Sequence, residues 1–188
     1  MSFAHLFIFR GKVMKIVIIG YSGSGKSTLA KTLGRYYNIP VLHLDSVHFK
    51  PGWVERDDRE SNEIVKNFMS DNTSWIIDGN YRNIAPDRFE SADQLIFLNY
   101  NRFICLTGVI KRYFQNKGKT RKDMAEGCDE KLDLAFLWWV FAKGRAKSRK
   151  KRLFGYAINH KNSMIFNNRK ELSKYMIKNN ILISKENE

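Results

Sequence analysis

Apolar positions along the chain follow two rhythms. Lys15 to Ile19 is a continuous β-branched run, as expected of a parallel strand buried on both faces. Leu29, Ala30, Leu33 and Tyr36/Tyr37 then recur at helical spacing, predicting a helix from about Lys26 to Tyr37 that Asn38 and Pro40 end. A second short strand is expected at 41–44 and an amphipathic helix at 57–69. A third strand is expected at 75–77, a fourth at 94–98 and a helix at 103–114. Residues 115–130 are polar, charged and glycine-containing, and read as a loop. A long helix over about 131–150 follows, apolar first and then basic. A weak fifth strand at 164–166 and a last helix at 170–178 close the pattern.

Strands alternating with helices predict an α/β fold: a five-stranded parallel sheet with helices on both faces, in three layers. Ligands of such sheets bind beyond the carboxyl ends of the strands, where Gly20, Asp45 and Asp78 all fall.

Gly20-Tyr21-Ser22-Gly23-Ser24-Gly25-Lys26-Ser27 matches the phosphate-loop (Walker A) pattern G-x-x-x-x-G-K-[ST], with Thr28 next. It follows a strand and opens a helix, the context that its chemistry requires. Glycines let consecutive backbone N–H groups converge on an anion, and the helix N-terminus adds partial positive charge. Lys26 offers a point charge to the donor phosphates, and Ser27 offers a hydroxyl to Mg²⁺. Gly20, Ser22, Gly23, Ser24, Gly25, Lys26, Ser27 and Thr28 are therefore the candidate ATP-binding residues. Phosphoryl transfer also needs a carboxylate for the metal and often one for the acceptor. Asp78 is the candidate for Mg²⁺, with Ser27, and Asp45 for the acceptor hydroxyl; either could instead be a capping or turn aspartate.

These pieces, with His43-Leu44-Asp45, Pro51-Gly52-Trp53, Trp75 to Tyr81, Arg121 to Met124 and Gly127 to Lys131, resemble the bacterial DNA topology modulation proteins. These are a branch of the adenylate-kinase-like P-loop nucleoside and nucleotide kinases. The resemblance covers roughly 14–145. It implies a P-loop kinase fold with a short lid over about 115–130, and an Asp-Gly pair, Asp78-Gly79, whose aspartate supports Mg²⁺. The sequence carries Asn80-Tyr81-Arg82 where adenylate kinases carry Phe-Pro-Arg, so AMP is not implied as the acceptor.

Transferring a phosphoryl group calls for further cations. Arg112 and Arg121 are the candidates at the lid, Arg82 and Arg88 those for an anionic acceptor. Trp53 could stack on a base or cover the core. His43 and His48, five apart around a carboxylate, read as ordinary structural or surface residues. Cys128 sits among basic neighbours without a placed histidine, and is not read as a nucleophile.

Charge is unevenly spread. Residues 1–100 hold 12 basic and 11 acidic side chains, and residues 101–188 hold 21 and 8, so most of the +14 lies in the second part. Seven bases, Lys143, Arg145, Lys147, Arg149, Lys150, Lys151 and Arg152, crowd ten positions without an acid. Three readings stand: a further phosphate clamp from Arg145 or Arg149, a nucleic-acid surface, or a solvated helix end. No apolar run approaches the ~20 residues needed to span a bilayer. Residues 1–13 lack a signal peptide's basic start and cleavage site, and are expected outside the fold; residues 14–188 are expected to form one domain. Two cysteines fit a reducing compartment, so a cytoplasmic protein without a membrane partner is expected. The functional expectation is Mg²⁺-dependent phosphoryl transfer from ATP to a small acceptor, a nucleoside or nucleotide. Its rivals are an ATP-responsive nucleic-acid binder and a simple ATPase.

Overall fold

A computed structural model of the chain describes residues 13–121, 123–130 and 132–181. All but Val13 of the expected N-terminal extension lies outside the described residues.

The chain begins with β1 (Lys15–Gly20), α1 (Lys26–Tyr37), β2 (Val41–His43) and a short α2 (Leu44–His48). A two-stranded hairpin follows, β3 (Phe49–Lys50) and β4 (Val54–Glu55), joined by a 3₁₀ turn over Pro51–Trp53. Then come α3 (Asp58–Asp71), β5 (Trp75–Asp78), α4 (Arg88–Ser91), β6 (Gln94–Leu98) and α5 (Arg102–Asn116). The last elements are α6 (Leu134–Phe141), α7 (Lys147–Asn159), β7 (Ser163–Phe166) and α8 (Arg169–Lys178).

The five-stranded sheet has the order β2-β5-β1-β6-β7, parallel throughout. Its two faces alternate with the pleat. Ile16, Ile96, Met164 and Phe166 turn toward α1 and α8, where they meet Leu29, Leu33, Leu172 and Met176. Phe97 turns the other way, its ring 5.3 Å from that of Phe154 on α7. Strands buried on both sides explain the unbroken apolar runs: Val17, Ile18, Ile19, Ile76, Ile77 and Leu95 are fully enclosed.

Two expectations are revised. Asp45 does not end a strand; β2 stops at His43, and Asp45 lies in the first turn of α2. The single helix expected over 131–150 is two helices, α6 and α7, separated by a 3₁₀ turn at Lys143–Arg145. Gly144 causes the close approach at that break: a Cβ there would press on the Trp139 backbone and ring. The basic cluster therefore spans a turn and the start of α7, which runs on to Asn159 through buried Leu153 and Ala157.

Candidate active site

The loop between β1 and α1 builds the centre. Gly23 and Gly25 adopt positive φ of 77° and 93°, which opens the loop for close approach of an anion. Ser24 N–H donates to the Tyr21 carbonyl at 3.1 Å, and Lys26 Nζ reaches the same oxygen at 3.3 Å. Gly20 is bound on both sides of its peptide by Asn80, whose Oδ1 accepts from Gly20 N–H at 3.1 Å and whose amide donates to Gly20 O. The phosphate loop and the Asp78-Gly79-Asn80 turn are thus one unit.

Asp78 is buried at the carboxyl end of β5, and its two oxygens have different partners. Ser27 Oγ donates to Oδ2 at 3.0 Å. His43 Nδ1 makes a close contact with Oδ1. Sheet register explains the second contact: His43 and Asp78 are paired residues of adjacent parallel strands. His43, expected to be an ordinary residue, thus belongs to the site. Only the register could show this, since the two lie 35 positions apart.

Asp45, on α2, accepts from the Tyr81 hydroxyl at 2.9 Å. Burial pushes the Tyr81 phenol far up, and the charge of Asp45 pushes it further, so Tyr81 stays a neutral donor. Burial lowers the Lys26 ammonium, while Asp45 and Asp78 pull it back up. Lys26 therefore stands within the field of both carboxylates.

Arg112, late in α5, and Arg121, in the segment that follows it, are held on carboxylates. Arg112 Nε and Nη2 lie 2.7 and 2.6 Å from Glu130 Oε1, and Arg121 Nε lies 2.7 Å from Oε2. Arg121 Nη1 also donates to Asp123 at 2.6 Å, and Asp123 accepts from Lys31 of α1 at 2.9 Å. Glu130, which no motif in the sequence marks as a site residue, is a buried anion shared by two guanidiniums. Burial and the nearby Arg121 lower Arg112, while Glu130 and Asp45 raise it. The lid also rests on the hairpin: Trp53 Nε1 donates to the Asp129 carbonyl at 3.2 Å, and Cys128 Sγ lies 3.4 Å from the Lys50 carbonyl. Trp53 thus joins the hairpin to the segment around Asp129.

Arg88 is a correction. Its side chain is wholly enclosed and donates to the carbonyls of Ile84, Ala85 and Tyr81, which leaves it no reach toward an acceptor. Burial lowers it to about 10. Arg82 is exposed and lines an open cleft of about 450 Å³ with His48, Asp58, Tyr81, Asn83 and Ile84. Ser22 lies half-buried in the loop, and Thr28 is exposed in the first turn of α1.

The basic cluster divides. Arg145 turns inward: its guanidinium lies 3.9 Å over the Tyr21 ring of the phosphate loop, and Nη2 donates to Tyr100 O at 2.8 Å. Arg149 lies over Trp139. Lys143, Lys147, Lys150 and Lys151 are exposed, and Arg152 is half-buried.

The residues fit a nucleoside triphosphate with Mg²⁺. Ser24 Oγ is buried within the loop without a partner, a polar atom left for a ligand. Ser27 and Asp78 supply the hard oxygen donors that Mg²⁺ prefers.

Parallel order, crossover helices and the glycine loop between β1 and α1 together make this a three-layer P-loop NTPase fold. No family model matches the chain, and no curated protein matches it. Among solved structures it is similar to an uncharacterized protein from Eubacterium ventriosum, at 22% identity, TM-score 0.47, with 89% of this chain and 97% of that one covered. It is also similar to shikimate kinase from Bacteroides thetaiotaomicron, at 20% identity, TM-score 0.46, with 88% and 95% covered. A gluconokinase from Sinorhizobium meliloti is similar at 16% identity, TM-score 0.47, with 89% of each chain covered.

Proposed function

We propose that the chain is an ATP-dependent phosphotransferase that moves a phosphoryl group to a hydroxyl of a small acceptor, a nucleoside or nucleotide. The observation that carries this reading is the convergence of Ser27, Asp78 and Lys26 beside Asp45 at one sheet edge. The motifs shared with the DNA topology modulation proteins support a place among adenylate-kinase-like kinases.

ATP with Mg²⁺ supplies an activated phosphoryl group and neutralises the charge that develops as it leaves. The loop amides of Gly23 to Ser27 and the ammonium of Lys26 hold the donor phosphates. Ser27 and Asp78 hold the metal, and His43 fixes the Asp78 carboxylate. Asp45, oriented by Tyr81, takes the proton of the acceptor hydroxyl. Arg82 at the open cleft meets an anionic group on the acceptor. Arg112 of α5 and Arg121 of the lid stabilise the transferring group. Arg145 and Arg149 are drawn inward onto rings, so the basic cluster is not a single solvated surface.

The test is ADP production with a panel of nucleosides and monophosphates. Lys26→Ala is expected to lower turnover by at least about a hundredfold while melting at the parent temperature. An equally active variant would contradict the mechanism. Hydrolysis unaffected by every acceptor would make the protein an ATPase instead.

A further inference from the structure

The face formed by α6 and the start of α5 is unlike the rest of the surface. Its helix reads Leu-Ala-Phe-Leu-Trp-Trp-Val-Phe, without one polar side chain, yet only Val140 is buried. Leu134, Trp138 and Phe141, spaced four and three apart, form one stripe. Leu134 is 84% exposed and Trp138 57%. Phe103 of α5, 65% exposed, continues the stripe, with its ring 5.7 Å from Phe141, and Trp138 lies 6.3 Å from the same ring. A contiguous apolar patch of this kind marks a contact surface.

Its border is cationic. The exposed Arg102 stacks over Phe141 at 4.9 Å. Lys143 is exposed two residues beyond the stripe, and exposed Lys147, Lys150 and Lys151 follow in the first turns of α7. No Asp or Glu occurs between Asp133 and Glu171. Apart from Asp133, whose carboxylate caps the α6 N-terminus by accepting from Phe136 N–H, the charge beside this hydrocarbon is positive, which matches an anionic lipid surface where apolar insertion and headgroup attraction act together. A second copy fits poorly, because two such borders would repel. A nucleic-acid strand offers bases to stack, but Leu134, the most exposed side chain of the stripe, has no stacking face.

We propose that this face docks on an anionic membrane surface, with Leu134, Trp138, Phe141 and Phe103 at the headgroup boundary and Arg102, Lys143 and the α7 lysines on lipid phosphates. Among the described residues no helix is long and apolar enough to cross a membrane, and this face, with its apolar stripe beside cationic side chains, is built to lie on a bilayer surface. This docking is independent of the phosphotransfer reading and can fail or stand by itself.

The full chain is mixed with phosphatidylcholine vesicles, with and without about one-third phosphatidylglycerol, and sedimented. Binding to the anionic vesicles, a blue shift of tryptophan emission, and release in high salt are expected. Leu134→Ser with Trp138→Ser should weaken binding by at least about tenfold, and Lys147→Glu with Lys151→Glu should weaken it too. Melting temperature should remain at the parent value in both variants; Leu134→Ser alone, at the most exposed position, serves as the milder check. Failure to sediment with anionic vesicles overturns the proposal. So does serine-variant binding equal to the parent's, which would reduce the effect to charge alone. Trp138-dependent binding of a single-stranded oligonucleotide, or Trp138-dependent dimerisation, without vesicle binding, would assign the face elsewhere.

Discussion

Gly108 of α5 is far from the phosphate loop in sequence, yet it sets how closely that helix approaches the loop. A Cβ at Gly108 would overlap the Gly23 carbonyl, and one at Gly23 would overlap the Cys105 carbonyl. Gly23 thus serves two purposes, since its φ of 77° also opens the loop. Gly108→Ala is expected to cost about 1–3 kcal/mol through overpacking, read as a lower melting temperature. Its triphosphate affinity should fall as well, because the atom that must yield belongs to the loop; calorimetry checks this. The phosphate loop itself was legible because its residue types and spacing carry the chemistry locally. His43, Glu130 and Gly108 were not, because each acts through a partner that only register or packing supplies.

The segment expected to be the lid is held by ion pairs to Lys31 and among Arg112, Arg121, Asp123 and Glu130, and two consequences follow for it. Burial opposes ionisation of Asp123, but Arg121 and then Lys31 overcome it and hold the carboxyl at about 2, against an ordinary 3.8. A depressed carboxyl stabilises above its ordinary value and loses that contribution as pH falls. The lid should therefore loosen between pH 3.8 and about 2, giving up about 2 kcal/mol. Amide exchange within 115–130 measures it, and Asp123→Asn should show the same loosening at neutral pH. Glu130→Gln removes the anion between Arg112 and Arg121 and leaves two like charges side by side. Turnover is expected to fall about tenfold with a raised KM for the donor, measured by steady-state kinetics. Unchanged kinetics would show that the arginines need no such counter-charge. At this scale, β1, α1, β5, β6 and α5 followed from periodicity, as strongly patterned segments do. The break between α6 and α7 did not: Gly144 packs against Trp139 there, and Arg145 beside it reaches back to Tyr21 and Tyr100, contacts that only packing supplies.

For the whole molecule, the sheet edge gathers groups from β1, β2, β5, α2, α5 and the lid. Occupying the centre should therefore stabilise the entire domain. A triphosphate with Mg²⁺ at about a hundred times its Kd contributes about 2.7 kcal/mol. That raises the melting temperature by roughly 5–10 °C in a domain of this size. Calorimetry should show the rise in the parent and none in Lys26→Ala. The parallel architecture was legible from alternating apolar runs and helices. The division of the basic cluster into inward arginines and outward lysines was not, since composition cannot say which way a side chain turns.

The indole of Trp53 and the thiol of Cys128 fasten one leaf of the entrance to the other. On the proposed phosphotransferase reading, a segment fastened to the hairpin in this way would move with it as one cover over both substrates. Neither product could then depart alone, and discharge would be a single event, visible in rapid mixing as an initial burst followed by a slower steady rate.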